Sequence, residues 1–339
     1  IIHPNDHVNM SQSTNDTYHA NIHITVYAEL NENLIPALES LHKALEKKAK
    51  EFAKIVKTGR THLQDAVPMT LGEEFSGYAS SVGREIENIK RNSQGLLLVS
   101  LGGTAVGTGI EASKKYSNAV IAEIRKYTKY DFKLAKNFFD LQQNQDEEEW
   151  VSSSLRDLAV SLSKIANDLR LLTSGPVSGF ADIVLPAVQP GSSIMPGKVN
   201  PSMAEMLNMV CFEVIGRDAT IAYAAESGQL ELNVYMPLIS HNLLYSIRIL
   251  ASAISTFTTR CIAGIKANKE RLKKNVEMDM SLATALAPYI GYSRAAKIAR
   301  KAYKEGKSVK QVCLEMKVMP AKDLNRILNP KGLTKRKNA

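Results

Sequence analysis

Ala20-Asn21-Ile22-His23-Ile24-Thr25-Val26-Tyr27-Ala28-Glu29-Leu30 opens the stretch on which the fold turns. Apolar side chains at Ile22, Ile24, Val26, Leu30, Leu34, Ile35, Leu38, Leu41 and Leu45 recur at three- and four-residue steps, which predicts one long amphipathic helix over 20–57. Working outward, the same period predicts rods over 73–98, 146–173, 202–225 and 238–265, several of them about 35–40 Å long at 1.5 Å per residue. No β-rich stretch competes, so the expected class is all-α, a long-helix bundle. Rods of that length, apolar around much of their surface, need partner helices from another subunit, and a homo-oligomer is expected. Past residue 268 the pattern breaks into shorter helices over 270–287, 293–305, 309–316 and 321–328, punctuated by Pro288, Gly291, Gly306 and Pro320. That pattern predicts a small C-terminal helical domain.

At 339 residues the chain exceeds what one core usually supports. The expected division is 1–14 as the remnant of an N-terminal domain, 15–268 as the central bundle and 269–339 as the small domain with a basic tail. No charged-then-apolar leader and no membrane-length apolar run is present, so no membrane partner is expected. Cys211, Cys261 and Cys313 are odd in number, far apart and embedded in helical patterns, which suits buried thiols in a cytoplasmic protein and no metal. The net charge of +9 is local: 14 Lys/Arg stand against 3 Asp/Glu from Ile290 onward, so the rest of the chain is slightly acidic. With no aromatic interleaving, nucleic acid is not an expected partner.

The longest non-periodic run is Gly191-Ser192-Ser193-Ile194-Met195-Pro196-Gly197-Lys198-Val199-Asn200-Pro201. Its glycines permit unusual backbone angles and its prolines withhold donors, so it reads as a loop between stiff posts. Asn200-Pro201 reads as a helix start, with Asn as N-cap and Pro at the first helical position. The helix therefore turns its positive end toward the loop, where Lys198 adds a full charge; together they can hold an anion. The Gly-rich run Gly102 to Gly109 lacks the Gly-Lys-Ser/Thr ending of a phosphate loop and reads as a connector.

The 191–201 run resembles the signature of the fumarase/aspartase superfamily. Ser11-Gln12-Ser13-Thr14-Asn15-Asp16 and Gly59-Arg60-Thr61-His62-Leu63-Gln64-Asp65-Ala66-Val67-Pro68 resemble two further motifs of that superfamily, in the same order. The resemblance runs over essentially the whole chain. It is closest to the aspartate ammonia-lyase branch, with the class II fumarase branch next. It implies a cofactor-independent lyase acting on a small dicarboxylate, L-aspartate or fumarate. It also implies a homotetramer whose active sites draw residues from three subunits, and a longer protein from which an N-terminal domain is missing here.

Residue by residue, Ser192 matches the catalytic base, supported by Lys198, because a serine hydroxyl needs nearby positive charge and N–H donors to act as a base. His62 matches an acid/base or substrate-binding histidine paired with a glutamate five residues after the loop asparagine, here Glu205. Ser13, Thr14, Asn15, Thr61, Ser193 and Asn200 match substrate-binding positions, while Ser13-x-x-Asp16 is also a capping-box pattern. His3, Asn5 and Asp6 match a secondary anion site of the fumarase branch. Val177 stands where the family commonly has Arg, and Tyr18-His19 departs from its usual proline. The joint presence of Ser192, Lys198, Asn200, His62 and Glu205 argues against a non-catalytic oligomeric relative. Gln229, in Ala225 to Val234, favours the aspartase branch over fumarate hydratase.

Overall fold

The opening rod forms in two joined pieces. In this computed structural model, which describes residues 1–334, α1 (Thr14–Glu29) runs through a π turn at Leu30–Leu34 into α2 (Ile35–Glu51). Pro36 has no N–H to return to the preceding turn, so the ladder loses a bond there and widens. The predicted stripe is the buried one: Ile22, Val26, Leu30, Leu34, Leu38, Leu41 and Leu45 are all at most 1% exposed. The last part of the basic tail, residues 335–339, lies outside the described residues.

The rod ends at Glu51 and not at Lys57, a correction to the sequence expectation. Phe52 turns edge-on against Phe75, 5.3 Å between ring centres. The Phe52 and Ile55 carbonyls accept from the N–H groups of Gly72 (3.1 Å) and Leu71 (2.8 Å). The end of one helical run thus satisfies the orphan donors at the start of α3 (Leu71–Asn92). The approach is tight enough to require glycine, since a Cβ on Gly72 would sit 2.5 Å from the Ala49 carbonyl oxygen.

Between them lies a hairpin that helical periodicity did not predict. β1 (Val56–Thr61) pairs antiparallel with β2 (Gln64–Thr70), from Val56 opposite Thr70 to Thr61 opposite Gln64, with a bulge between Thr58 and Gly59. His62 and Leu63 form the two-residue turn with φ of 53° and 59°, the left-handed angles that match strand twist in tight hairpins. Two short pairs add little: β3 (Leu98–Val99) runs parallel to β4 (Lys133–Leu134), and β5 (Ile183–Val184) antiparallel to β6 (Lys266–Ala267).

The chain divides into two units. The first takes Ile1–His42, Ser80–Asn167 and Ser202–Thr259. It contains α4 (Lys114–Thr128), α5 (Phe138–Gln143), most of α6 (Asp146–Leu172), α7 (Ser202–Glu226) and nearly all of α8 (Met236–Arg260). Leu155, Leu158 and Leu162 of α6, Leu207 and Val214 of α7, and Leu243, Ile247, Leu250 and Ile254 of α8 are buried. Polar ties fix helix register within it: Asn208 donates to Ser163 Oγ (2.8 Å) and Arg217 to Asn242 Oδ1 (2.6 Å). α7 also leaves Met209, Phe212 and Tyr223 exposed, at 64%, 59% and 71%.

The second unit takes Lys43–Ala79, Asp168–Pro201 and the chain from Arg260 on. After α9 (Lys269–Met278) the expected continuous helix to residue 287 is broken. Asp279 accepts from the Ser281 N–H (2.7 Å) and starts a 3-10 segment, Met280–Leu286, which leads into α10 (Ala287–Ile290). α11 (Tyr292–Glu305), α12 (Val309–Glu315), α13 (Ala321–Ile327) and α14 (Pro330–Leu333) follow. Leu286, Ile298, Ala302, Val309, Val312 and Leu324 form their core.

Candidate active site

The loop ahead of α7 is closed by its own backbone. Gly191 has φ +95°, and a Cβ there would stand 2.3 Å from the Lys198 carbonyl oxygen. That approach lets the Ser192 N–H donate to the Lys198 carbonyl (3.1 Å), while the Lys198 N–H donates to Met195 (3.2 Å). The Ser192 hydroxyl oxygen accepts from the N–H groups of Ile194 (3.3 Å) and Met195 (3.1 Å). Two donors on one hydroxyl oxygen favour its negative form, which is what a serine base requires. Sequence reasoning looked to Lys198 and the helix start for that support; the loop's own backbone adds two donors. Ser193 and Lys198 are exposed, Ser192 and Asn200 half-buried. α7 begins at Ser202, where the 202–225 period places it and one residue after the first helical position read from Asn200-Pro201, and Glu205 lies half-buried in its first turn.

His62 and Thr61 are presented at the exposed tip of the hairpin. The strand behind them is held by charge. Arg60 grips the buried Asp182 through both guanidinium nitrogens (2.5 and 3.3 Å) and stacks on Phe180, 4.2 Å from its ring centre. Lys57 donates to both oxygens of Glu74 at 2.8 Å, and Ser281 Oγ donates to the Ala66 carbonyl at 3.0 Å. Among the described residues no hydrogen bond joins Ser192 to His62.

Ser13, Thr14 and Asn15 form the start of α1, and both halves of the capping box are made. Asp16 is fully buried and does more than cap. Its Oδ1 accepts from the Ser13 N–H (3.0 Å), and its Oδ2 accepts from the N–H groups of Gly102 and Thr104 (3.0 Å each). The Asn15 side-chain amide donates to the Ala105 carbonyl (2.8 Å). The Gly-rich run is thus strapped to the candidate substrate-binding residues. His3, Asn5 and Asp6 lie exposed in a helical turn, Pro4–Val8, where His3 Nδ1 accepts from the Asp6 N–H (3.2 Å). Val177 is 86% exposed.

The Lyase family model matches residues 1–216, and the model for the fumarase C C-terminus matches 282–335. An aspartate ammonia-lyase from Bacillus sp is 48% identical over 98% of this chain and 71% of its own length. The chain belongs to the fumarase/aspartase superfamily. Class II fumarate hydratase of Thermosynechococcus vestitus is similar to it almost equally, at 47% over 96% of the chain and 70% of the relative. Two solved structures superpose with TM-scores of 0.95. One is a fumarate lyase:delta crystallin from Brucella melitensis bound to cobalt, 46% identical over 99% of this chain and 72% of that one. The other is class II fumarase from Schistosoma mansoni, 36% identical over 99% and 74%. Like its superfamily, the chain is a lyase of all-α architecture, and its relatives include both carbon–nitrogen and carbon–oxygen lyases. Among the described residues no helix is long and apolar enough to cross a membrane.

One cluster escaped the sequence reading. His19 and His23, one turn apart on α1, meet Glu148 of α6, and all three are fully buried. Glu148 sits in Asp146-Glu147-Glu148-Glu149, a run that in sequence looks like a solvated helix start. Two histidines four residues apart, flanking the apolar positions Ala20, Ile22 and Val26, were the signal that could have found it.

Proposed function

We propose that the chain is an aspartate ammonia-lyase, converting L-aspartate to fumarate and ammonia, with Ser192 as the proton-abstracting base. The observation that carries this reading is the Ser192 hydroxyl accepting two backbone N–H bonds inside a closed loop. As alkoxide, Ser192 takes the proton from the carbon beside a carboxylate, and the C–H electron pair moves into that carboxylate, which becomes doubly negative. Lys198 and the N-terminal end of α7 are the groups for that charge, and its stabilisation is the largest contribution to rate. The electron pair then returns to form the double bond as the neighbouring C–N bond breaks. In this reading His62, oriented by Glu205, assists binding or the second step, while Ser13, Thr14, Asn15, Thr61, Ser193 and Asn200 hold the substrate carboxylates. His3, Asn5 and Asp6 would form the secondary anion site of the fumarase branch, and an anchor that relatives gain from Arg would be lacking at Val177.

Aspartate is favoured over malate by Gln229, whose side chain offers an acceptor suited to an amino group, where fumarases usually carry His. Gln229 lies in a tight turn, bridged to Leu232. Fumarate hydratase is the second reading, favoured by the near-equal identity to both kinds of relative. The test measures ammonia release from L-aspartate and water addition to fumarate on the same preparation. Aspartate turnover with weak hydration is expected; brisk hydration with no ammonia release replaces the first reading by the second. Ser192→Ala is expected to cut turnover by at least about 100-fold, and a mutant close to wild type means another group is the base.

A further inference from the structure

His19, His23 and Glu148 are assigned no part in the reaction proposed above, although His19 lies one turn after Asn15 on α1. Its ligand-type atoms all lie within 4.8 Å of one another. Glu148 Oε1 is 3.2 Å from His23 Nε2 and 3.7 Å from His19 Nε2, with all three side chains at 0% exposure. The two imidazole rings are 4.4 Å apart between centres and tilted by 47°.

The hydrogen-bonding pattern shows what is unbalanced. His23 Nδ1 is 2.7 Å from the Leu98 carbonyl oxygen, which can only accept, so the proton of a neutral ring sits on Nδ1. Nε2 then carries a bare lone pair facing a carboxylate oxygen 3.2 Å away, and two lone pairs at that distance repel. A proton on Nε2 would pair His23 with Glu148 Oε1 across that distance, but would leave His19 Nε2 and Glu148 Oε2 without a partner. His23 Nε2, His19 Nε2 and both Glu148 oxygens are all shut off from water without a hydrogen-bond partner. Buried polar atoms are almost always satisfied, and four orphans converging in one place call for a cation they share.

A metal ion satisfies all of them at once. Two imidazole nitrogens and a carboxylate oxygen are the donor set of zinc and its neighbours, and histidines four apart on one helix face are a recurrent half-site. Ligand atoms at about 2.0–2.1 Å from a tetrahedral ion lie about 3.4 Å from each other. The 3.2 and 3.7 Å separations from Glu148 to the two histidines bracket that value, and all three atoms lie within 4.8 Å of one another, so the side chains must draw in around the ion. The Nδ1–H donated to Leu98 is the outer contact that orients a ligating histidine and makes it a better donor. Glu147, half-buried beside the cluster, adds a second negative charge to balance a divalent ion.

We propose that His19, His23 and Glu148 form a buried structural site for a divalent transition-metal ion, zinc or a close neighbour, tying α1 to α6. The site is closed to solvent, so its role is to fix the start of the helix bundle and not to meet substrate.

The test begins with elemental analysis of the chain purified without chelators, then titrates metal-free protein with Zn²⁺ and with Co²⁺. Expected are about one tightly held ion per chain, a visible absorption band from bound cobalt, and a melting temperature that rises with Zn²⁺ and falls with chelator. His19→Ala and Glu148→Gln should lose the ion, while a His3→Ala/His7→Ala variant, lacking the exposed N-terminal histidines, should keep it. Should the buried variants fail to fold, the cobalt spectrum and chelator-dependent melting of the wild-type chain decide. Wild-type protein that takes up neither ion at stoichiometric levels overturns the proposal, as does an ion retained by His19→Ala and lost from the N-terminal variant.

Discussion

Replacing Gly191 by Ala should disable catalysis while leaving the fold standing. The new Cβ would lie 2.3 Å from the Lys198 carbonyl oxygen, about 1 Å inside an ordinary contact, on a backbone with φ +95°. Holding an alanine in that conformation costs about 1–3 kcal/mol before the clash is counted. Opening the loop instead sacrifices the Ser192 N–H bond to Lys198, worth about 1 kcal/mol, so the loop opens. Ser192 follows the backbone, and a displacement of about 1 Å of a reacting group costs on the order of 100-fold in rate. Because the loop is largely exposed, the melting temperature should fall by less than about 3 °C. Gly197→Ala is the internal control: it too has positive φ, +83°, but nothing lies within 4 Å of its Cβ position, so strain alone predicts a loss of about 10-fold. Initial rates of fumarate formation from L-aspartate, or of fumarate consumption, measure both variants. Turnover near wild type in Gly191→Ala, or equal losses in the two variants, would refute the account of how the loop positions its serine.

Arg60→Met should destabilise the protein by about 3 kcal/mol in urea unfolding, because it leaves the carboxylate of the fully buried Asp182 without its bidentate partner. Lys57, 3.6 Å from Asp182, and Asn275 keep the cost from running higher; no measurable loss would mean the clamp is dispensable. Burial pushes the Cys211 and Cys261 thiols up to about 12 and also raises Cys313, so none should react with a thiol reagent until the chain unfolds. Labelling of native protein on the timescale of a model thiol would contradict that. Light scattering is expected to give a tetramer, which would cover Met209, Phe212 and Tyr223 of α7; a stable monomer at micromolar concentration would sink this expectation.

The long helices were legible because their information is local. A 3.6-residue apolar period and nearby caps fixed α6, α7 and α8 to within a few residues. The hairpin was not, because its stability comes from partners remote in sequence: Lys57 with Glu74, Arg60 with Asp182, Ala66 with Ser281. No period within 56–70 encodes those pairings. The same division runs through the candidate site. Residue types at Ser192, Lys198, His62 and Asn15 could be read from their motifs, but the two N–H donors on the Ser192 hydroxyl belong to a local backbone turn that residue types alone do not specify. Glu148 was hidden among three neighbouring acids, since nothing in Asp146 to Glu149 says which of them the fold will bury.

The strap at Asp16 sets a limit on how this chain can vary. One oxygen serves the start of α1 and the other serves the Gly102 and Thr104 amides, so both must be acceptors at the same time. Asparagine, the nearest isostere, has a single acceptor oxygen and would point an NH₂ group at one of the two sets of N–H donors. It could hold the helix or hold the loop. The mildest change in shape is therefore among the harshest in chemistry, and the position behaves as a two-sided lock for which the protein alphabet contains one well-fitting key.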